Sequence, residues 1–404
     1  MESAPEKINH MKITNLKSTI LSVPFMMETL WPYGRWAGVT LVVVEIETDA
    51  GIVGIGESQC LVGPAEATRM LLNSVEPLLR GEDPFNIERI GKKIAGIGGW
   101  GWCPHFAGYA LSGIDMALWD IMGKACGQPV YKLLGGKIRD KVKCFKYIHH
   151  GKPGVMAAEA GEAVSQGYDT IYCKYTGIAH LKDAIEAIRG TIGDEPTLWV
   201  DFNQTLSPGF AIQFLQEMSE YRIDIVEQPV LASNLDAMAY VKNATSSRVL
   251  AHESSWTPHD TLNLIKRDAA DILSIDIRMS WGIVAAKKAA AIAEAAGMPV
   301  LLHSSADLGV SQAAQLHLAA STPNCILANQ CLYDWFEDDY IQGGKLQFEG
   351  DCLPVPTGPG FGITLDREKL RQYHEHYKEV GTYLFFSVSP GELRTAPVPL
   401  FPTY

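Results

Sequence analysis

Seven short apolar runs, each closed by a polar residue at nearly the same interval, constrain this chain more than any other feature. The runs are TIYCKY, TLWVDF, DIVEQP, RVLAHE, ILSIDI, PVLLHS and CILANQ. They end at Lys174, Asp201, Glu227, Glu253, Asp276, His303 and Asn329, spaced roughly 23–27 residues apart. Between them lie patterns of helical period such as HLKDAIEAIRGTIG and GIVAAKKAAAIAEAAG. A strand, a helix and a second strand within such a span require a crossover, so successive strands run parallel. Closed into a ring, the repeat is a TIM-like barrel, and barrels of this kind present their chemistry at the C-terminal ends of their strands. Six ionisable residues and one amide are therefore expected at one mouth, within residues 141–350.

The flanks read differently. Residues 11–140 open with two strand-like runs, LVVVEIETD and GIVGIGES, joined by a turn at Asp49-Ala50-Gly51. Helical patterns follow near 64–80, 86–95 and 105–125. Antiparallel strands followed by helices predict an α+β domain. Residues 1–10 read as a disordered extension. The segment 351–404 begins Pro- and Gly-rich, continues as a helix over REKLRQYHEHYKEV, and ends in an apolar tail expected to pack against the body or a second subunit. The His-x-His within that helix, His374 and His376, reads as a solvated face.

Composition excludes several classes. The formal net charge of -12 disfavours a nucleic-acid partner. No run approaches the ~20 apolar residues of a membrane helix. The eight cysteines include no C-x-x-C pair, so reduced thiols in a cytoplasmic protein are expected.

If Asp201, Glu227 and Glu253 meet at the mouth, three carboxylates share a few ångströms. They cannot all stay ionised uncompensated. Three oxygen donors, with room for water and substrate, suit octahedral Mg²⁺ better than zinc. Lys174 and His303 lie on either side of this group. Asp276 can fix the tautomer of His303. An amine beside a divalent cation gives up its proton more readily and can act as a base. A positioned base contributes only ~10²–10⁴ in rate. For a proton next to a carboxylate, the rest must come from stabilising the enediolate, which a cation at the substrate carboxylate does.

Two stretches resemble a known family. Ala110 to Gly136, ALSGIDMALWDIMGKACGQPVYKLLGG, matches one of its signatures; Leu198 to Pro229, with Asp201-x-Asn203 and Val226-Glu227-Gln228-Pro229, matches the other. The chain resembles the mandelate racemase/muconate lactonizing enzyme family of the enolase superfamily from Met11 to about residue 370. The resemblance implies an α/β fold, an α+β capping domain plus a modified (β/α)₇β TIM-like barrel. It implies Mg²⁺ at Asp201, Glu227 and Glu253, and a homo-oligomer from dimer to octamer. The Asp276/His303 pair is similar to the mandelate racemase-like subgroup. Tyr172-Cys173-Lys174 replaces the usual Lys-x-Lys, and Asn329-Gln330 stands where a glutamic acid is usual.

Family members draw specificity from two capping loops. Here these are residues 24–38, with Met26, Met27, Trp31, Tyr33, Arg35 and Trp36, and residues 96–106. Asn203, Asn329, Tyr172, Tyr147, Arg35 and Trp31 are the expected substrate contacts. The leading expectation is dehydration of a small-molecule hydroxy-carboxylate, begun by Lys174 or His303. The alternative is a racemase or epimerase using both bases. A barrel that only binds an acidic ligand is the reading outside enzymology.

Overall fold

The structure, a computed structural model, describes residues 10–31, 34–60, 64–97, 104–175 and 177–383, without the side chains of Leu30, Trp31 and Ile178. Three antiparallel strands, Ile13–Trp31, Gly34–Thr48 and Val53–Gln59, form a sheet in chain order. The Val-rich run of the second strand is buried on both faces, and its alternation serves two cores. Val42, Val44 and Ile46 pack with the helices Ala65–Leu79, Ile87–Gly96 and Pro104–Ala125; Leu41 and Val43 join the barrel core. The long helix lies directly on the third strand. A Cβ at Gly56 would sit 1.8 Å from the carbonyl oxygen of Gly113, so only glycine permits that approach.

Seven parallel strands follow in ring order: Lys146–Tyr147, Thr170–Lys174, Thr197–Asp201, Ile225–Glu227, Arg248–Ala251, Ile272–Ile275 and Val300–Leu302. Helices such as Ile178–Ile192 and Ile283–Ala295 make the crossovers. The gap between first and last is closed by backbone at Asn329 and Gln330. The Asn329 N–H donates to Lys143 O at 2.7 Å, its carbonyl accepts from Phe145 N–H at 3.1 Å, and Gln330 N–H donates to Leu302 O at 2.9 Å. Aromatic rings fill the interior: Phe145 stacks on Tyr172 at 4.6 Å and both meet Trp199 edge-on. The fold is thus the expected α/β arrangement of an antiparallel capping sheet and a parallel barrel.

The helix Arg367–Val380, capped by Asp366, returns to the capping sheet. His374 Nδ1 donates to Ile20 O at 2.8 Å, and His376 Nε2 lies 2.9 Å from the Tyr383 hydroxyl. These histidines are half-buried contacts rather than the solvated face expected of them. The tail beyond residue 383 and the extension before residue 10 lie outside the described residues, as does Cys103; the other seven cysteines are free thiols. No helix among the described residues is long and apolar enough to cross a membrane.

Candidate active site

Strand register sets Lys174, Asp201 and Glu227 side by side at one level of the barrel. Asp201 Oδ2 accepts from the Tyr172 hydroxyl at 2.7 Å and from Lys174 Nζ at 2.5 Å; its Oδ1 accepts from Asn203 N–H at 2.8 Å. Asn203 adopts a left-handed backbone, φ 42°, a conformation asparagine tolerates better than most residues. That turn lets its amide accept from Lys174 Nζ at 2.9 Å and donate to Glu253 Oε1 at 3.1 Å. Asp201 and Glu253 are thereby tied through one side chain.

Glu227 is almost wholly buried. Burial and the neighbouring Asp201 carboxylate push its carboxyl well above the usual range. Burial acts the same way on Glu253, but the adjacent His252 and a hydrogen bond from Asn203 outweigh it and hold that carboxyl at about 2. Glu227 Oε1 and Glu253 Oε2 are buried and accept no hydrogen bond from the described residues. Buried carboxylate oxygens without donors, in an acidic site, suit a bound cation. The oxygen donors of Asp201, Glu227 and Glu253 fit a hard divalent ion. The ligand atoms that lie within 4.8 Å of one another are those of Glu227, His252 and His303, a set without Asp201 and Glu253.

The opposite side of the mouth carries His303. Its Nδ1 meets Asp276 Oδ2 at 3.1 Å, which leaves Nε2 to face the site. Burial and the adjacent His252 hold the imidazole down, at about 3. Asp276 is clasped by Arg278, Nε to Oδ1 at 2.9 Å and Nη2 to Oδ2 at 2.6 Å. Burial would raise the Asp276 carboxyl, but that guanidinium and His303 bring it far below its ordinary value. Arg278 Nη1 reaches Asp307 Oδ1 at 2.5 Å, and all three groups are fully buried.

Sequence reasoning missed Arg278, Asp307 and His252. Arg278 lies two residues beyond Asp276 in the turn that follows the strand, where its N–H donates to Asp276 Oδ1 at 2.8 Å and the alternation of a strand no longer applies. His252 was hidden by the same alternation. The strand ends at Ala251, so both His252 and Glu253 leave it and turn to the mouth. The His252 ring stacks on His303 with centroids 3.6 Å apart.

The expected substrate contacts disperse. Asn203 lies among the acids, but Tyr172 points its hydroxyl at Asp201. Tyr147 is buried beneath the mouth, its ring 4.9 Å from Tyr172 and 4.6 Å from Trp335. Asn329 does not present its amide there: Oδ1 accepts from Leu302 N–H at 2.7 Å, and Nδ2 faces the carbonyls of Lys143 and Leu327 at 3.3 Å. Closing the barrel engages it. Arg35 is exposed and pairs with Glu28 at 3.7 Å. The side chain of Trp31 lies outside the described residues, as do Tyr33 and residues 98–103 of the second loop. From the first loop, Phe25 and Trp36 reach the barrel, meeting Trp335 at 5.2 and 5.8 Å. From the second, His105 stacks on Trp256 at 3.8 Å, and the Trp256 indole donates to Glu253 O at 2.8 Å.

Residues 155–369 match the enolase C-terminal domain-like family, and residues 29–135 match the mandelate racemase / muconate lactonizing enzyme N-terminal domain. The chain is 29% identical over 369 residues to the N-succinyl-L-Arg/Lys racemase of Bacillus cereus, covering 90% of this chain and 98% of that one. It is 28% identical to the D-xylonate dehydratase of Haloferax volcanii, over 82% and 85% of the two chains. It superposes on the dipeptide epimerase of Enterococcus faecalis, complexed with Mg and L-Leu-L-Tyr, with a TM-score of 0.81 and 29% identity, over 87% and 99% of the chains. Racemase, epimerase and dehydratase are all represented, so the likeness extends to a family of enzymes and not to one of its subgroups. With both halves matched and the barrel mouth built as described, the chain belongs to the mandelate racemase/muconate lactonizing enzyme family of the enolase superfamily.

Proposed function

We propose that this enzyme removes the proton α to a substrate carboxylate, and that the usual outcome is loss of water from a hydroxy acid. The observation that carries the reading is the placement of the bases. Around the ring, Lys174 precedes the strands ending at Asp201, Glu227 and Glu253, and the Asp276-supported His303 follows them. A substrate carboxylate lodged among the acids needs a counter-charge. Asp201, Glu227 and Glu253 would hold Mg²⁺, which when bound supplies positive charge against that carboxylate.

His303 Nε2, unprotonated while Nδ1 donates to Asp276, takes the α-proton, leaving an enediolate; Lys174 Nζ is the base for a proton on the opposite face. The enediolate's electron pair expels the β-hydroxyl, which leaves as water with the proton that His303 Nε2 has taken up. With a hydroxyl also on the α-carbon, the enol product rearranges to a 2-keto acid. Asp276 keeps Nε2 aimed at the substrate, and Tyr172 and Asn203 keep Asp201 in place. The Asp276/His303 pair also supports the mandelate racemase-like subgroup.

Racemisation or epimerisation is the second reading. There, one base takes the proton and the other returns it to the opposite face. The apolar first capping loop, with Met26 and Met27 exposed, favours it, because such a loop suits a partly apolar substrate better than a polyol. Incubation of a hydroxy-acid panel with enzyme and Mg²⁺ in D₂O separates the two. Dehydration releases a keto acid; racemisation returns substrate deuterated at the α-carbon. Turnover of a substrate with neither result would sink both readings.

A further inference from the structure

We propose that His252 is itself a ligand of the cation, beside Glu227 and Glu253, giving the site a nitrogen donor and a preference for Mn²⁺ over Mg²⁺. The proposal rests on the cation-dependent reading above, and deepens it by naming a donor outside the carboxylate set.

Glu227 Oε1, Glu253 Oε2 and both ring nitrogens of His252 are buried and have no hydrogen-bond partner among the described residues. One of those nitrogens faces both oxygens: His252 Nδ1 stands 3.4 Å from Glu227 Oε1 and 3.5 Å from Glu253 Oε2. An imidazolium donating to carboxylates would close to ~2.7–2.9 Å. Atoms bound at ~2.1 Å to a single ion stand roughly 3.0–3.5 Å apart, depending on the bond angle. The observed spacing is that of ligands around an ion rather than that of a salt bridge.

The surroundings hold the imidazole there. His252 is 6% exposed. Its backbone N–H donates to Gln228 Oε1 at 3.1 Å, and its carbonyl accepts from Ser255 N–H at 2.9 Å. Stacking against His303 fixes the ring plane. Asp201 contrasts with these three groups, since both its oxygens already accept hydrogen bonds, from Tyr172, Lys174 and Asn203. Its carboxylate therefore approaches an ion with lone pairs partly engaged, and His252 offers the donor it lacks. Mg²⁺ takes oxygen donors almost exclusively, whereas Mn²⁺, which also suits carboxylates, accepts an imidazole more readily than Mg²⁺ does.

Metal-free protein titrated with MnCl₂ and MgCl₂, followed by pulsed EPR of the Mn²⁺-loaded sample, tests this. The expected result is Mn²⁺ affinity roughly tenfold or more above that of Mg²⁺, with directly bound ¹⁴N coupling in the wild type. That coupling persists in His303→Asn and disappears in His252→Gln. If His252→Gln fails to fold, the wild type and His303→Asn still decide. Mn²⁺ bound with no ¹⁴N coupling, or coupling lost with His303 and kept without His252, overturns the nitrogen ligand and leaves the carboxylate site standing. Failure of either ion to bind overturns the carboxylate site as well.

Discussion

The side of the mouth that carries Asp201, Glu227 and Glu253 and the side that carries Asp276 and His303 handle buried charge in opposite ways. In the first group three acids crowd together, Glu227 is pushed upward, and two carboxylate oxygens lack partners. In the second, a fully buried guanidinium lies between Asp276 and Asp307 and supports the imidazole through Asp276. The first half sets Lys174 against Asp201 and leaves Glu227 and Glu253 to the cation of the proposed reading. The other carries its own and is assembled in advance. An enzyme that must hold an anionic substrate and still keep a base aimed has reason to divide the work this way.

Removing the bases that bracket the two halves gives the largest effect. Lys174→Ala and His303→Asn should each lower turnover by ~10²–10⁴ while circular dichroism stays unchanged; an unaltered rate removes that residue from the chemistry. Next comes the closed half. Arg278→Leu leaves the Asp276 carboxylate buried without its cation and should cost about 3–5 kcal/mol of stability, read by urea denaturation. Little change would mean the guanidinium is not what holds that half together. In the open half, Tyr172→Phe removes one hydrogen bond from Asp201 and should weaken cation affinity by ~10–100-fold, measured by calorimetry, with stability nearly unchanged. An unchanged affinity would detach Tyr172 from the cation site.

The smallest effect is a slope. Burial pushes the Asp307 carboxyl up to about 8 from an ordinary 3.8, against the pull of Arg278. As pH rises through that window, the unfolded chain loses this proton before the folded protein does, so stability falls. Asp307→Asn should flatten that decline between pH 4 and 8, seen as denaturation midpoints that no longer drift with pH. A decline as steep as in the wild type would assign it to other groups.

Much of this was legible because the barrel repeats. Strand spacing placed Lys174, Asp201, Glu227, Asp276 and His303 at strand ends, and LVVVEIETD read as a strand, although the burial of both its faces was not foreseen. The same spacing misled at Asn329. The eighth closing segment is irregular backbone, and its asparagine lies below the mouth bonded to Lys143 and Leu302. His252 was invisible to strand alternation because the strand stops one residue earlier. Arg278 and Asp307 carry no spacing of their own; only the fold brings one to the other. The contacts of Phe25 and Trp36 with Trp335 join residues some three hundred positions apart in sequence, and no local pattern encodes them.

The division of the mouth is tested most directly by anomalous diffraction from crystals soaked in Mn²⁺. The expected map has a single peak about 2.0–2.3 Å from the orphaned oxygens of Glu227 and Glu253, and none beside Asp276, Arg278 and Asp307. A peak in the guanidinium cluster, or an empty map at millimolar Mn²⁺, would contradict it.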